Sequence, residues 1–196
     1  MKIVFATNNA HKLEEVQQML SSHTIVSLRE QEIVEEIPET APTLEGNALM
    51  KARYIYDNYT INCFADDTGL EVDALNGEPG VRSARYASPQ GGNTKANNEL
   101  LLKNLNGVEQ RTARFRTIIA LIINGREHLF EGVVEGRIST DYSGSEGFGY
   151  DPLFIPNDGD GRSFAEMSMD EKGAISHRGR AVTKLVEFLN QNYGEI

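Results

Sequence analysis

The chain opens on four consecutive apolar residues, Ile3-Val4-Phe5-Ala6, and closes on a stripe that repeats every three or four positions: Val182, Leu185, Val186 and Leu189. The first pattern reads as a short buried strand. The second is one face of a helix, which Ser176 would cap and which would run through Tyr193. Between them the two periods alternate. Leu13, Val16 and Leu20 make a helix face opposed by Glu14, Glu15, Gln17 and Gln18. Ile25 to Leu28 reads as a second strand. Leu44, Ala48, Ala52 and Ile55 place a helix over Thr43 to Asn58, with Lys51 and Arg53 on its other face.

Ile61 to Ala65 reads as a strand that ends abruptly at Asp66-Asp67-Thr68-Gly69, where Asp and Gly favour a turn, with strand resuming at Leu70 to Val72. Residues 30–42, acidic and with two prolines, read as a loop with a short irregular helix, and residues 76–92, rich in Gly, Pro and Ser, as a long loop. Thr94 would cap a helix through Leu105. Ala113 to Ile123 alternates and then turns wholly apolar, and Glu127 to Ile138 follows. The Asn124-Gly125 pair between these runs predicts a hairpin. A glycine-rich loop, 144–151, leads into a short strand at Leu153 to Ile155. Strands and helices in this order predict an α/β fold in one domain over residues 1–196.

The bulk numbers narrow the function. The 196 residues, 39% hydrophobic, suffice for a sizeable core. The net charge of −10 argues against a nucleic-acid partner, whose phosphates require a basic face. Cys63 is the one cysteine, so no disulfide closes within the chain, and it reads as a buried small hydrophobe. No leader and no apolar run of the roughly 20 residues that span a bilayer is visible, so no membrane association and a cytoplasmic location are expected.

Five segments carry candidate chemistry. Thr7-Asn8-Asn9-Ala10-His11-Lys12 joins a strand to a helix start, where backbone N–H groups and a partial positive charge suit a phosphate. Asp66-Asp67-Thr68-Gly69 offers adjacent carboxylates at a strand end, a donor set for Mg²⁺. The acidic loop with Glu32, Glu35, Glu36 and Glu39 offers a second metal carboxylate. Gly147-Phe148-Gly149-Tyr150-Asp151 suggests close backbone approach to a flat group, with Phe148 or Tyr150 stacking on it. Lys172 with Ser176-His177-Arg178-Gly179-Arg180 places cations at a helix start, which an anion or ligand would have to balance. Each segment taken alone is also compatible with an ordinary turn, cap or solvated charge run.

Together, Thr7 to Lys12, Asn47-Ala48 with Lys51-Ala52-Arg53, Ala65 to Leu70, GVRSARYA (80–87), GFGYDPLF (147–154) and Ser176 to Gly179 resemble the inosine triphosphate pyrophosphatase family, in that family's order and across nearly the whole chain. The resemblance implies a two-lobed domain with a long mixed sheet flanked by helices, an active site in the cleft between lobes, and a homodimer. It implies Mg²⁺-dependent hydrolysis of noncanonical purine nucleoside triphosphates (ITP, dITP, XTP) to the monophosphate and pyrophosphate. Thr7 to Lys12 would then hold the triphosphate, assisted by Lys51. Asp67 would bind Mg²⁺ and accept the proton of the attacking water, with Glu39 as the second metal carboxylate. Thr68 stands where the family often has serine. Phe148, Gly149, Tyr150 and Asp151 would line the base and ribose site, and Lys172, His177 and Arg178 would read the 6-keto edge. The alternatives are a related pyrophosphatase for other modified nucleotides and a nucleotide sensor without turnover.

Overall fold

The computed structural model describes residues 2–20 and 23–194. Among the described residues seven strands and five α-helices follow in the order β1 (Lys2–Phe5), α1 (Ala10–Met19), β2 (Thr24–Ser27), α2 (Leu44–Tyr59), β3 (Cys63–Val72), β4 (Pro79–Gly80), α3 (Thr94–Asn104), β5 (Thr112–Ile123), β6 (Arg126–Ile138), β7 (Phe154–Pro156), α4 (Met169–Ile175) and α5 (His177–Tyr193). The sheet is mixed, in the order β2-β1-β3-β5-β6-β7, with β4 on β3. β1 is parallel to β2 and to β3, whereas β3–β4 and β6–β7 are antiparallel.

The chain folds as two compact units. The first takes residues 1–67, 117–132 and 178–196, and the second takes residues 68–116 and 133–177. In the first unit β1 buries Ile3, Val4 and Phe5 without alternation, as a parallel strand covered on both faces does. Phe5 and Phe64 are register partners whose rings stack at 4.5 Å. The apolar stripe of α5 (Val182, Leu185, Leu189) shares this core with Val16 of α1 and with Leu20 at its C-terminal cap. The second unit centres on Leu101 of α3 and Leu105 at its C-terminal cap, with Phe115, Phe154 and Phe164.

Local rules hold where they are strong. Thr43 caps α2 by accepting from the Gly46 N–H at 3.0 Å. Asn124 and Gly125 both take positive φ, 51° and 77°, as the two central residues of a tight hairpin must. α3 is capped by Asn93, one residue before the predicted cap.

The predicted break at Asp66 is corrected: β3 runs unbroken from Cys63 to Val72 and carries Asp66, Asp67, Thr68 and Gly69 inside the strand. The two carboxylates are tolerated there because both find partners, described below. A second correction concerns α1. Glu15, on its predicted polar face, is buried. α4 has no counterpart in the predicted elements. Among the described residues no helix is long and apolar enough to cross a membrane.

Cys63 is fully buried, its thiol donates to the Ala52 carbonyl at 3.3 Å, and burial pushes its pKa up to about 12. A thiolate-specific reagent at pH 8 should therefore leave the folded protein unlabelled and modify Cys63 once guanidinium opens the core. Labelling of the native protein at the unfolded rate would contradict the burial.

Candidate active site

The first unit gathers a buried charge cluster at the middle of β3. Asp66 is 1% exposed and receives the Lys12 ammonium at 3.0 Å and the Arg178 Nε at 3.3 Å. Arg178, also 1% exposed, donates its Nη1 to Glu15. Lys51 donates to the Asp66 carbonyl at 2.6 Å and pairs with Glu39. Burial alone would raise the Asp66 pKa, and it is the largest single influence. Lys12, Arg178 and Lys51 together overcome it and hold the carboxylate well below its usual range. Burial pulls the Lys12 ammonium down; Asp66 opposes this, while Lys51 and Arg178 add to it. Lys51 is raised, because Asp66, Glu39 and Asp67 outweigh its desolvation.

Asp67 points elsewhere, as the next residue of a strand must. Its Oδ2 accepts from Asn47 Nδ2 at 3.1 Å, and Asn47 Oδ1 in turn accepts from the Ala41 N–H at 2.8 Å. One amide thus ties Asp67 to the segment that carries Glu39. Burial, and then the charge of Glu39, raise the Asp67 pKa against the pull of Lys51 and Lys12.

The Thr7–Lys12 segment is exposed at Asn8, Asn9, Ala10 and His11 and half-buried at Thr7 and Lys12. It is internally ordered. Asn9 caps α1 through Oδ1, which accepts from the N–H groups of His11 and Lys12, and the Asn9 N–H donates to Thr7 Oγ1 at 3.1 Å. Two of the backbone donors expected for a phosphate are thus held by the cap, while Lys12 contributes its ammonium from the first turn.

The residues present fit a hard divalent cation. Lys12, Lys51 and Arg178 bring three positive charges against the four carboxylates of Glu15, Glu39, Asp66 and Asp67. A triphosphate meets net negative charge here unless a cation accompanies it. Desolvated Asp67 with Glu39 in its field is the kind of pair whose ionised form a divalent ion favours. Among the described residues no cluster of three or more His, Cys, Asp or Glu gathers as a cage. The donor set therefore suits Mg²⁺, which takes one or two carboxylates and completes its shell with waters and phosphate oxygens.

The second unit carries the other candidate residues. Asp151, 3% exposed, accepts through Oδ2 from the Phe148 N–H at 2.9 Å and from Lys172 Nζ at 2.8 Å. The Lys172 ammonium lies 4.7 Å from the centre of the Phe148 ring. Gly147 must be glycine. Its φ is +70°, and a Cβ would stand 2.1 Å from Asp151 Oδ2. The His177 ring is buried and stacks on Phe115 at 4.6 Å. Thr68 opens this unit and is half-buried.

Two of the candidate residues are engaged by protein partners. Tyr150 is buried and its hydroxyl donates to the Ser83 carbonyl at 2.6 Å, so of the two aromatic candidates only Phe148 keeps exposed surface. Arg178 has its guanidinium engaged by Asp66 and Glu15 in the first unit, whereas Lys172 and His177 belong to the second. Sequence reasoning missed Glu15, and it marked Asp66 and Asn47 within matching segments without giving either a role of its own. Asn47 was within reach, since it stands four residues before Lys51 on the same helix face. Glu15 gave no signal, because a carboxylate on a polar helix face reads as solvated.

Comparison with known proteins identifies the family of the chain. The sequence model of the Ham1 family matches residues 3–188. A dITP/XTP pyrophosphatase of Flavobacterium johnsoniae is 50% identical, covering 96% of this chain and 98% of its own. One from Porphyromonas gingivalis is 53% identical, covering 96% and 97%. The structure of the Staphylococcus aureus Ham1 protein superposes with a TM-score of 0.87 at 35% identity, over 97% of this chain and 99% of that one. The chain belongs to the Ham1 family.

Proposed function

We propose that this protein hydrolyses noncanonical purine nucleoside triphosphates, ITP, dITP and XTP, to the monophosphate and pyrophosphate with Mg²⁺. The observation that carries the reading is the buried β3 cluster. It sets one carboxylate, Asp66, as a fixed counter-ion for Lys12 and Arg178, and leaves the next, Asp67, desolvated with a raised pKa. Relatives about half identical over nearly their whole length carry the name dITP/XTP pyrophosphatase.

In this reading Asp67 and Glu39 hold Mg²⁺, which when bound neutralises phosphate charge. A carboxylate oxygen of Asp67 takes the proton of the water that attacks the α-phosphorus. Its raised pKa makes it a stronger base than an exposed aspartate. Lys12 and Lys51 stabilise the negative charge that spreads over the phosphoryl oxygens, with Thr7, Asn8, Asn9, Ala10 and His11 around the phosphates. Phe148 stacks on the base, and Gly149 and Asp151 shape its pocket. Lys172 and His177 donate to the 6-keto oxygen. A 6-amino group in that place would leave those buried donors unpaired, which disfavours adenine. Thr68, beside Asp67 in β3, supplies a hydroxyl to the substrate. A cytoplasmic homodimer that acts on free nucleotides and not on nucleic acid completes the proposal, and the net charge of −10 supports its last part.

The test is a panel of ITP, XTP, GTP and ATP with Mg²⁺, assayed for pyrophosphate apart from orthophosphate. Pyrophosphate from ITP and XTP with little from GTP or ATP is the expected result. Orthophosphate alone would move the attack to the γ-phosphorus. Tight ITP binding without turnover would make the protein a sensor.

A further inference from the structure

Phe148 is held on its N-terminal side by Asp151, which accepts its N–H. Its own carbonyl accepts from the Asp151 N–H at 3.2 Å, and a further anchor, one residue on, lies outside the site described so far. The next carbonyl, that of Gly149, accepts from Asn98 Nδ2 at 3.0 Å, across 51 residues of sequence. Asn98 sits on α3 and is 3% exposed.

The anchor is itself anchored. Its neighbour Asn97 donates to the carbonyls of Ser83 and Ala84, at 3.4 and 3.2 Å, and accepts from the Ala87 N–H at 2.8 Å. The Ser83 carbonyl also takes the Tyr150 hydroxyl at 2.6 Å. α3 is thus bound to the segment 83–87 by one asparagine and to the loop 147–151 by the next. Within that loop Gly147 and Gly149 both take positive φ, +70° and +63°. Two such residues flanking Phe148 leave the backbone many alternatives unless hydrogen bonds select one.

The chemistry of Asn98 points the same way. Its Oδ1 is buried and accepts from no protein donor, so the Gly149 carbonyl is the partner its amide serves. Burying an amide for one bond costs more than burying a leucine of similar size. What the amide supplies and a leucine would not is the donor to Gly149.

We propose that Asn98 is a positioning residue that sets Phe148, and through it the base pocket, without touching substrate. The proposal rests on the reading of Phe148 as the residue that stacks on the base. The chain has no tryptophan, so Phe148→Trp makes a single-indole reporter. Acrylamide quenching of that indole would be compared with and without Asn98→Leu, alongside kcat and KM for ITP in the Phe148 background and a thermal melt. Asn98→Ser is the second variant if the leucine disturbs folding. Quenching should rise severalfold, and the KM for ITP should rise about tenfold with kcat nearly kept, the mark of lost ground-state positioning. Unchanged quenching would overturn the proposal whatever the melt shows. Raised quenching with an unchanged KM would overturn it as well. If the parent turned over no ITP while quenching still rose, the positioning of Phe148 would stand and the substrate reading would fall.

Discussion

Asp67→Asn should abolish nearly all turnover and leave the protein at least as stable as before. The expected loss in kcat is about 10³-fold, within the range for removing a general base that also holds the metal. The stability half of the result follows from the direction of the pKa. Burial, the largest influence, raises the folded Asp67 above its unfolded value. A raised carboxylate means that the folded state holds the proton more tightly than the unfolded state does. Its contribution to stability therefore falls as pH rises from the unfolded value, roughly 3.9, through the folded one, and at neutral pH it stands as a penalty. Asparagine cannot ionise and removes that penalty. Its side-chain oxygen can still accept from Asn47 Nδ2, so the bond at this position survives. Mg²⁺ should raise the melting temperature of the parent and not of the variant, since binding to the folded state stabilises by mass action. Steady-state kinetics and melts with and without Mg²⁺ check both halves. A variant that kept most of its turnover with the fold intact would end the role assigned to Asp67.

Arg178→Met should destabilise the first unit by about 3–5 kcal/mol, the cost of removing one partner from a buried ion pair. At roughly 2–4 °C per kcal/mol for a chain of this size, the midpoint falls by about 6–20 °C. Methionine fills much of the volume, so the loss is electrostatic. Arg178 is 1% exposed and bridges Glu15 and Asp66, and its removal leaves two buried carboxylates short of a guanidinium. Lys12 remains on Asp66 and limits the damage there.

The pH dependence separates this from a packing defect. Asp66 is held below its unfolded pKa, so the stability it contributes is full above about pH 4–5 and is lost as pH falls toward the folded value. The gap between parent and variant should be widest near neutrality and narrow in acid. Urea unfolding at pH 7 and at about pH 2.5, well below the unfolded value, measures both. A variant within 1 kcal/mol of the parent at pH 7, or a gap that does not change with pH, would refute the account.

The local features of this fold are legible in the sequence. The Asn124-Gly125 turn needs two residues of positive φ, and those two side chains tolerate it; they take 51° and 77°. The α5 stripe buries Val182, Leu185 and Leu189 as its spacing requires. Thr43 caps α2 because a side-chain oxygen lies within reach of a free N–H three residues on. Each of these is settled by neighbours within a turn or two of chain.

What only the tertiary structure decided lies across long separations. Asp66 to Gly69 reads as a turn by composition, yet it continues β3 because Lys12, Arg178 and Asn47 arrive to satisfy its two carboxylates. Glu15 reads as a solvated helix face and is buried because Arg178, 163 residues away, meets it. Asn98 carries no pattern of its own and finds Gly149 at 51 residues. Periodicity and capping are properties of contiguous chain, so the sequence by itself determined the elements that carry such a pattern, among them α5 and the β5–β6 hairpin. The pairing of buried charges depends on which elements the packed core brings together, and no local pattern records it.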